Sequence, residues 1–69
     1  MDHYYVHIYT DDDGDHEIHT DECDFLPKPT HRDYLGYYNN CENAVEEAGN
    51  NGYSPVNGCY FCSRDCHTS

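Results

Sequence analysis

Residues 58–68 read GCYFCSRDCHT and carry four side chains able to bind a metal ion: Cys59, Cys62, Cys66 and His67. Cys59 and Cys62 form a C-x-x-C pair. At that spacing two thiolates face one cation while backbone amides of the turn stabilise their charge, which is half of a structural zinc site. Gly58 permits the tight turn. A redox pair has the same spacing, but a thioredoxin-like motif sits at the start of a helix after a strand in a βαβ unit, and 69 residues are too few for that context. The other half of the site is expected upstream. His19 and Cys23, in HTDEC at residues 19–23, sit where a strand is expected to end. A chain bending back there offers both side chains to one ion. The set His19, Cys23, Cys59 and Cys62 supplies three sulfurs and one nitrogen, which tetrahedral Zn2+ accepts. Cys66 or His67 is the alternative fourth ligand. An all-cysteine site would use Cys66 and leave His19 behind the ligands, and His67 could replace either His19 or Cys66.

Cys41 lies on the apolar face of an expected helix and reads as a buried thiol. Should Cys66 fold back to it, a Cys41–Cys66 disulfide would form under oxidising conditions, dividing the five cysteines into three ligands and one bridge. The acidic run at residues 11–15 does not make an EF-hand: with Gly14 at the sixth position, the first falls on Tyr9 and the twelfth on Thr20. Asp11, Asp12, Asp13 and Asp15 form a solvated turn, with a weak surface cation site as the lesser reading. His3, His7, His16 and His31 read as surface residues, and His7 and His16 could face each other across a hairpin. No Ser-His-Asp or Cys-His pair has catalytic spacing, and no glycine loop for phosphate is present.

These ligands must be positioned by short elements. Residues 4–10 alternate, Tyr4, Val6 and Ile8 to one side and Tyr5, His7 and Tyr9 to the other, which is the period of a strand. A turn follows at 11–15, and a second short strand over 16–20 completes an antiparallel hairpin. Pro27 and Pro29 mark a loop. Residues 33–38 read as a third strand, with Gly36 at an edge or a close approach. A short helix is expected over 41–48, capped by Asn39 or Asn40, with Ala44, Val45, Ala48 and Cys41 on one face and Gly49 as its stop. Residues 50–58 read as a loop leading to the cysteines.

Stability is the constraint behind this reading. Leu, Ile, Val and Phe together number nine of 69 residues, and the net charge is −11. Such a composition borders on that of disordered chains. Eight tyrosines, five cysteines and the periodic apolar pattern argue instead for a folded domain held by a covalent or metal staple. Residues 1–69 are therefore expected to form one α+β domain: zinc-stapled, with an antiparallel hairpin or short sheet and one short helix. Against 14 acids stand only Lys28, Arg32 and Arg64. So few cations exclude binding driven by phosphate neutralisation and disfavour anionic membranes. A partner, if charged, would be basic. The odd cysteine count and the lack of an apolar leader point to the cytoplasm, and a monomer is expected.

Three segments, EIHTDECDFLP, RDYLGYYNNCENAVEEAG and GYSPVNGCYFC, together resemble the zinc-binding domain family at the N-terminus of Ada-type methylphosphotriester repair proteins and its small stand-alone relatives. The resemblance covers roughly residues 16–62. It implies a small α+β domain with a structural zinc, ligands at His19, Cys23, Cys59 and Cys62, and a helix from Asn40 to Gly49. In the repair protein a ligating cysteine accepts a methyl group from a DNA phosphotriester. Here the first ligand position is His19, and the closing C-x-x-C has one arginine nearby rather than a basic surround, so methyl transfer does not carry over. The expected function is that of a non-enzymatic structural zinc-binding domain serving protein interaction. The rival is a thiol-based redox enzyme or sensor using the C-terminal cysteines.

Overall fold

A computed structural model describes residues 1–68. They form a small α+β domain: a four-stranded mixed sheet with one α-helix packed on it. The strands are β1 (Asp2–His7), β2 (His16–Thr20), β3 (Arg32–Tyr38) and β4 (Val56–Gly58), and the helix α1 is Cys41–Asn50. The sheet order is β3-β1-β2-β4. β1 runs antiparallel to both β2 and β3, whereas β2 and β4 are parallel. The chain thus leaves one edge of the sheet at β3, crosses through α1 and returns to the opposite edge at β4.

The expected hairpin forms. Its turn is held by Asp11, whose Oδ1 accepts from the amides of Asp13 and Asp15, both at 2.9 Å, and Gly14 takes the left-handed φ of 84° that the turn requires. Those backbone bonds hold the Asp11 carboxyl below the usual carboxylate range despite partial burial. The strand expected over 4–10 instead spans Asp2–His7. Beyond His7 the chain leaves the ladder, and Ile8 donates to the carbonyl of His31 at 3.0 Å.

β3 is an edge strand and carries a bulge: Tyr4 pairs with Gly36 but Tyr5 with Tyr34, so Leu35 is the extra residue. Gly36 has φ 142°, and a Cβ there would lie 2.6 Å from the Tyr38 hydroxyl, which itself donates to Leu35 O at 3.0 Å. A bulge that folds a tyrosine back over the backbone therefore requires glycine at this position.

The helix extends two residues past the expected end. Asn40, rather than Asn39, caps it, accepting from Asn43 N at 3.0 Å. The residue three after the cap is Asn43, so the cap is the single Asn40 bond rather than a reciprocal pair with an acidic side chain. Gly49 is helical. The stop is Gly52, at φ 93°, and it closes a Schellman arrangement in which Tyr53 N donates to Ala48 O at 3.0 Å and Gly52 N to Gly49 O at 3.1 Å.

The core joins Tyr4 and Val6 of β1, Ile18 of β2 and Leu35 of β3 to Cys41, Ala44 and Ala48 of α1. The small residues of the helix face let it sit close on the sheet, and Val45 packs at the margin of the core. On the opposite sheet face, β1 and β3 carry a row of rings. His3 lies against Tyr37 and Tyr34 with centroids 4.5 and 5.7 Å apart, Tyr5 against Tyr34 at 5.3 Å, and Arg32 covers the Tyr5 ring at 4.7 Å. Much of the tyrosine content packs there rather than in the core.

Among the described residues no helix is long and apolar enough to cross a membrane.

Candidate metal centre

β4 was not among the expected elements, and it assembles the site. It extends β2 in parallel register, with His16 opposite Val56 and Ile18 opposite Gly58. The ladder begins where His16 N donates to Pro55 O at 2.9 Å and continues past β4, where Cys59 N donates to Ile18 O at 2.9 Å. Cys59 is therefore pinned beside His19, although the two lie 40 positions apart. After Cys59 the chain turns back, and Ser63 N donates to Cys59 O at 2.9 Å. This turn brings Cys62 round to the end of β2, where Thr20 N donates to its sulfur at 3.4 Å. Cys23 arrives through a second turn, set by Cys23 N to Thr20 O at 3.3 Å and Leu26 N to Cys23 O at 3.1 Å.

The outcome is a cluster in which one donor atom each from His19, Cys23, Cys59 and Cys62 lies within 4.8 Å of every other. Cys23 Sγ stands 3.9 Å from Cys59 Sγ, and Cys62 Sγ stands 3.8 Å from His19 Nδ1. His19 and Cys59 are almost wholly buried, at 2 % and 3 % exposure, while Cys23 and Cys62 are partly covered. The four residues can hold a metal ion, and several observations fit that use. Backbone amides point at all three sulfurs: Thr20 N at Cys62, Phe25 N at Cys23 at 3.4 Å, and the amides of Phe61 and Cys62 at Cys59. Such donors stabilise thiolates. Burial pushes the Cys59 and Cys62 thiols up, more than the backbone amides lower them. A bound cation reverses that balance and deprotonates a coordinating thiol. Burial also pushes His19 down to about 4, helped by His7, which keeps its imidazole neutral and its ring nitrogen available.

Glu17, not among the expected site residues, backs His19. Its Oε1 faces His19 Nε2 at 3.4 Å, on the opposite side of the ring from Cys62. With Nδ1 turned to the sulfurs, the tautomer protonated at Nε2 would point its proton at a carboxylate. This is the usual way a ligating histidine is oriented and made more basic. Because His19 is neutral, the contact is a directed polar one rather than an ion pair. Partial burial, with Asp11 adding to it, raises the Glu17 carboxyl. The signal was legible: residues two apart on a strand share a face.

The alternative fourth ligands do not reach the cluster. Cys66 is bonded to Cys41 across 25 positions, tying the one-turn 3-10 helix Arg64–Cys66 to the start of α1. His67 turns its Nδ1 to the carbonyl of Gly58, 3.0 Å away. The disulfide leaves Cys23, Cys59 and Cys62 as free thiols. Glu42 Oε2 lies over the bridge, 3.5 Å from Cys66 Sγ, but bonded sulfurs are not thiolate donors, so that group is no second site in this state. Gly58 also has a different reason from the one expected. It is not held at positive φ. A Cβ there would lie 2.4 Å from Ser63 O and 2.7 Å from Cys66 Cβ, because the returning chain packs directly on the backbone.

The acidic turn offers no comparable cluster among the described residues. No family model, no curated protein and no solved structure matches this chain.

Proposed function

We propose that this chain is a non-enzymatic binding module whose fold is stapled by one structural zinc ion, held by His19, Cys23, Cys59 and Cys62. The observation that carries the reading is the convergence of those four donors. A tetrahedron with ordinary zinc bond lengths has S···S edges of about 3.8 Å and S···N edges of about 3.5 Å. The 3.9 Å and 3.8 Å separations lie close to both without a ligand having moved. The resemblance to the Ada-type zinc domain family supports the same four residues.

Four protein ligands close the coordination shell, so no position remains for an activated water or a substrate. That favours a structural role over a catalytic one. Thiols raised by burial likewise speak against the redox reading, which needs a thiolate of depressed pKa. The energetic scale is adequate: structural zinc contributes roughly 10–16 kcal/mol of apparent binding free energy in small peptides, and the core here is small. Three thiolates and one Zn2+ move the net charge only from −11 to about −12, so the metal stabilises locally rather than by neutralising the chain.

Native mass spectrometry tests the reading. One zinc per chain is expected, lost on Cys59→Ser together with the folded structure. A metal-free chain with full structure would defeat it.

A further inference from the structure

Both phenylalanines of this chain lie outside its core. Phe25 is 57 % exposed and Phe61 69 % exposed. A chain with nine Leu, Ile, Val and Phe residues has little apolar material for a core, yet these two rings stack on each other in solvent, with centroids 4.6 Å apart and planes 26° from parallel. Tyr60, 47 % exposed, meets Phe61 edge-on at 5.3 Å and extends the patch. The rings come from the two turns of the metal centre: Phe25 follows Cys23 by two residues, and Phe61 sits between Cys59 and Cys62. A shallow groove of about 240 Å³ runs beside them, lined by Glu22, Asp24, Phe25 and Phe61 among others. Arg64 is engaged with Tyr60, donating to its hydroxyl at 2.8 Å with the guanidinium over the ring at 4.6 Å.

We infer that the Phe25–Phe61 pair is a docking surface, assembled by the metal centre, for a cationic peptide segment carrying an apolar or aromatic anchor. The inference rests on the zinc reading above and adds the surface and the chemistry of the partner. Exposed aromatic clusters are enriched at the centre of protein interfaces, where a few rings carry most of the affinity. Here the rings are rimmed by carboxylates, and the chain carries −11, so field and rim both select a positive partner. The same charge opposes the other occupants. A second copy would bring a further −11 to the contact, and anionic lipid or nucleic acid would be repelled. An ion bound by Cys23, Cys59 and Cys62 fixes both turns, and with them the spacing of the two rings.

Fluorescence anisotropy with a labelled Lys-Lys-Leu-Trp-Leu-Lys-Lys peptide and the zinc-loaded protein tests this. Saturable binding is expected. It should weaken about tenfold or more in Phe61→Ser and in Phe25→Ser, and less, in a salt-dependent way, in Glu22→Gln/Asp24→Asn. The peptide with Glu in place of Lys should not bind. Each variant is first shown to hold zinc, since both rings are exposed and neither is a ligand. Four results would each overturn the inference: equal binding by the Phe variants, equal binding of the Glu peptide, self-association that the Phe variants abolish, or capture by phosphatidylcholine vesicles in place of the peptide. The two readings separate cleanly. A zinc-loaded chain that ignores the peptide removes the docking surface and leaves the staple. A zinc-free chain that binds the peptide through Phe61 removes the staple and, with it, the metal's part in assembling the surface, and leaves only the ring pair as the binding element.

Discussion

Removing the Cys41–Cys66 bridge perturbs stability without touching the proposed ligands. The bond closes a segment of 25 positions. In the chain-entropy model, a cross-link of that span removes about 12 cal/mol/K from the denatured ensemble, or about 3.5 kcal/mol near room temperature. For a domain of this size, that is a large share of the usual stability of about 5–15 kcal/mol. The double variant Cys41→Ala/Cys66→Ala should therefore unfold at lower urea, followed by circular dichroism at a fixed free-zinc concentration. With a slope of about 1 kcal/mol per molar urea, the midpoint should fall by about 3.5 M. Zinc stoichiometry should stay at one, because both cysteines lie outside the donor set. A midpoint shift below about 1 M at unchanged slope would refute the staple role of the bridge. Loss of zinc from the double variant would refute the assignment of ligands.

Other perturbations follow from the same geometry. Glu17→Ala removes the carboxylate that faces His19 Nε2 and should weaken zinc affinity about 10–100-fold in a competition with a chromophoric chelator, with the fold retained at saturating metal. Gly58→Ala places a methyl 2.4 Å from a backbone oxygen; a destabilisation of about 2 kcal/mol or more is expected in thermal melts, and a neutral outcome would contradict the close packing of the returning chain. His19 titrates near 6.5 when unfolded and at about 4 in the fold, so the unfolded chain binds more protons between those values. The stability that this depressed group contributes is complete above about pH 7 and declines as pH falls toward 4, by up to about 3 kcal/mol. Zinc ligation also requires a neutral His19 and ionised thiols, so the urea midpoint of the zinc-loaded protein should be higher at about pH 7 than at about pH 5, and equal midpoints would contradict ligation by these residues.

Local signals made much of this fold legible. The alternation at Tyr4, Val6 and Ile8, the Asp-rich turn with Gly14, and the Asn-capped run of alanines mark β1, β2 and α1 because each depends on residues close in sequence. β4 was missed for the opposite reason. Val56–Gly58 is too short to show a period and lies among Asn, Gly and Pro, and it is a strand only because β2 presents an open edge to it. The helix stop was misplaced at Gly49 because two glycines follow the helical pattern closely, and a glycine's presence does not say which will take positive φ. The four clustered donors were readable as residue types at ligand spacing. What selects among the rivals is not: the β2–β4 ladder that sets Cys59 beside His19, and the bridge that draws Cys66 away, are both long-range. Glu17 could have been found from strand periodicity once His19 was suspected.

X-ray absorption at the zinc edge, on protein reconstituted with one equivalent of zinc, tests the centre most directly. Three sulfurs at about 2.3 Å and one nitrogen at about 2.0 Å are expected, with the nitrogen contribution lost in His19→Cys and replaced by a fourth sulfur. A shell dominated by oxygen, a spectrum indifferent to His19, or failure to retain stoichiometric zinc would contradict a metal held by His19, Cys23, Cys59 and Cys62.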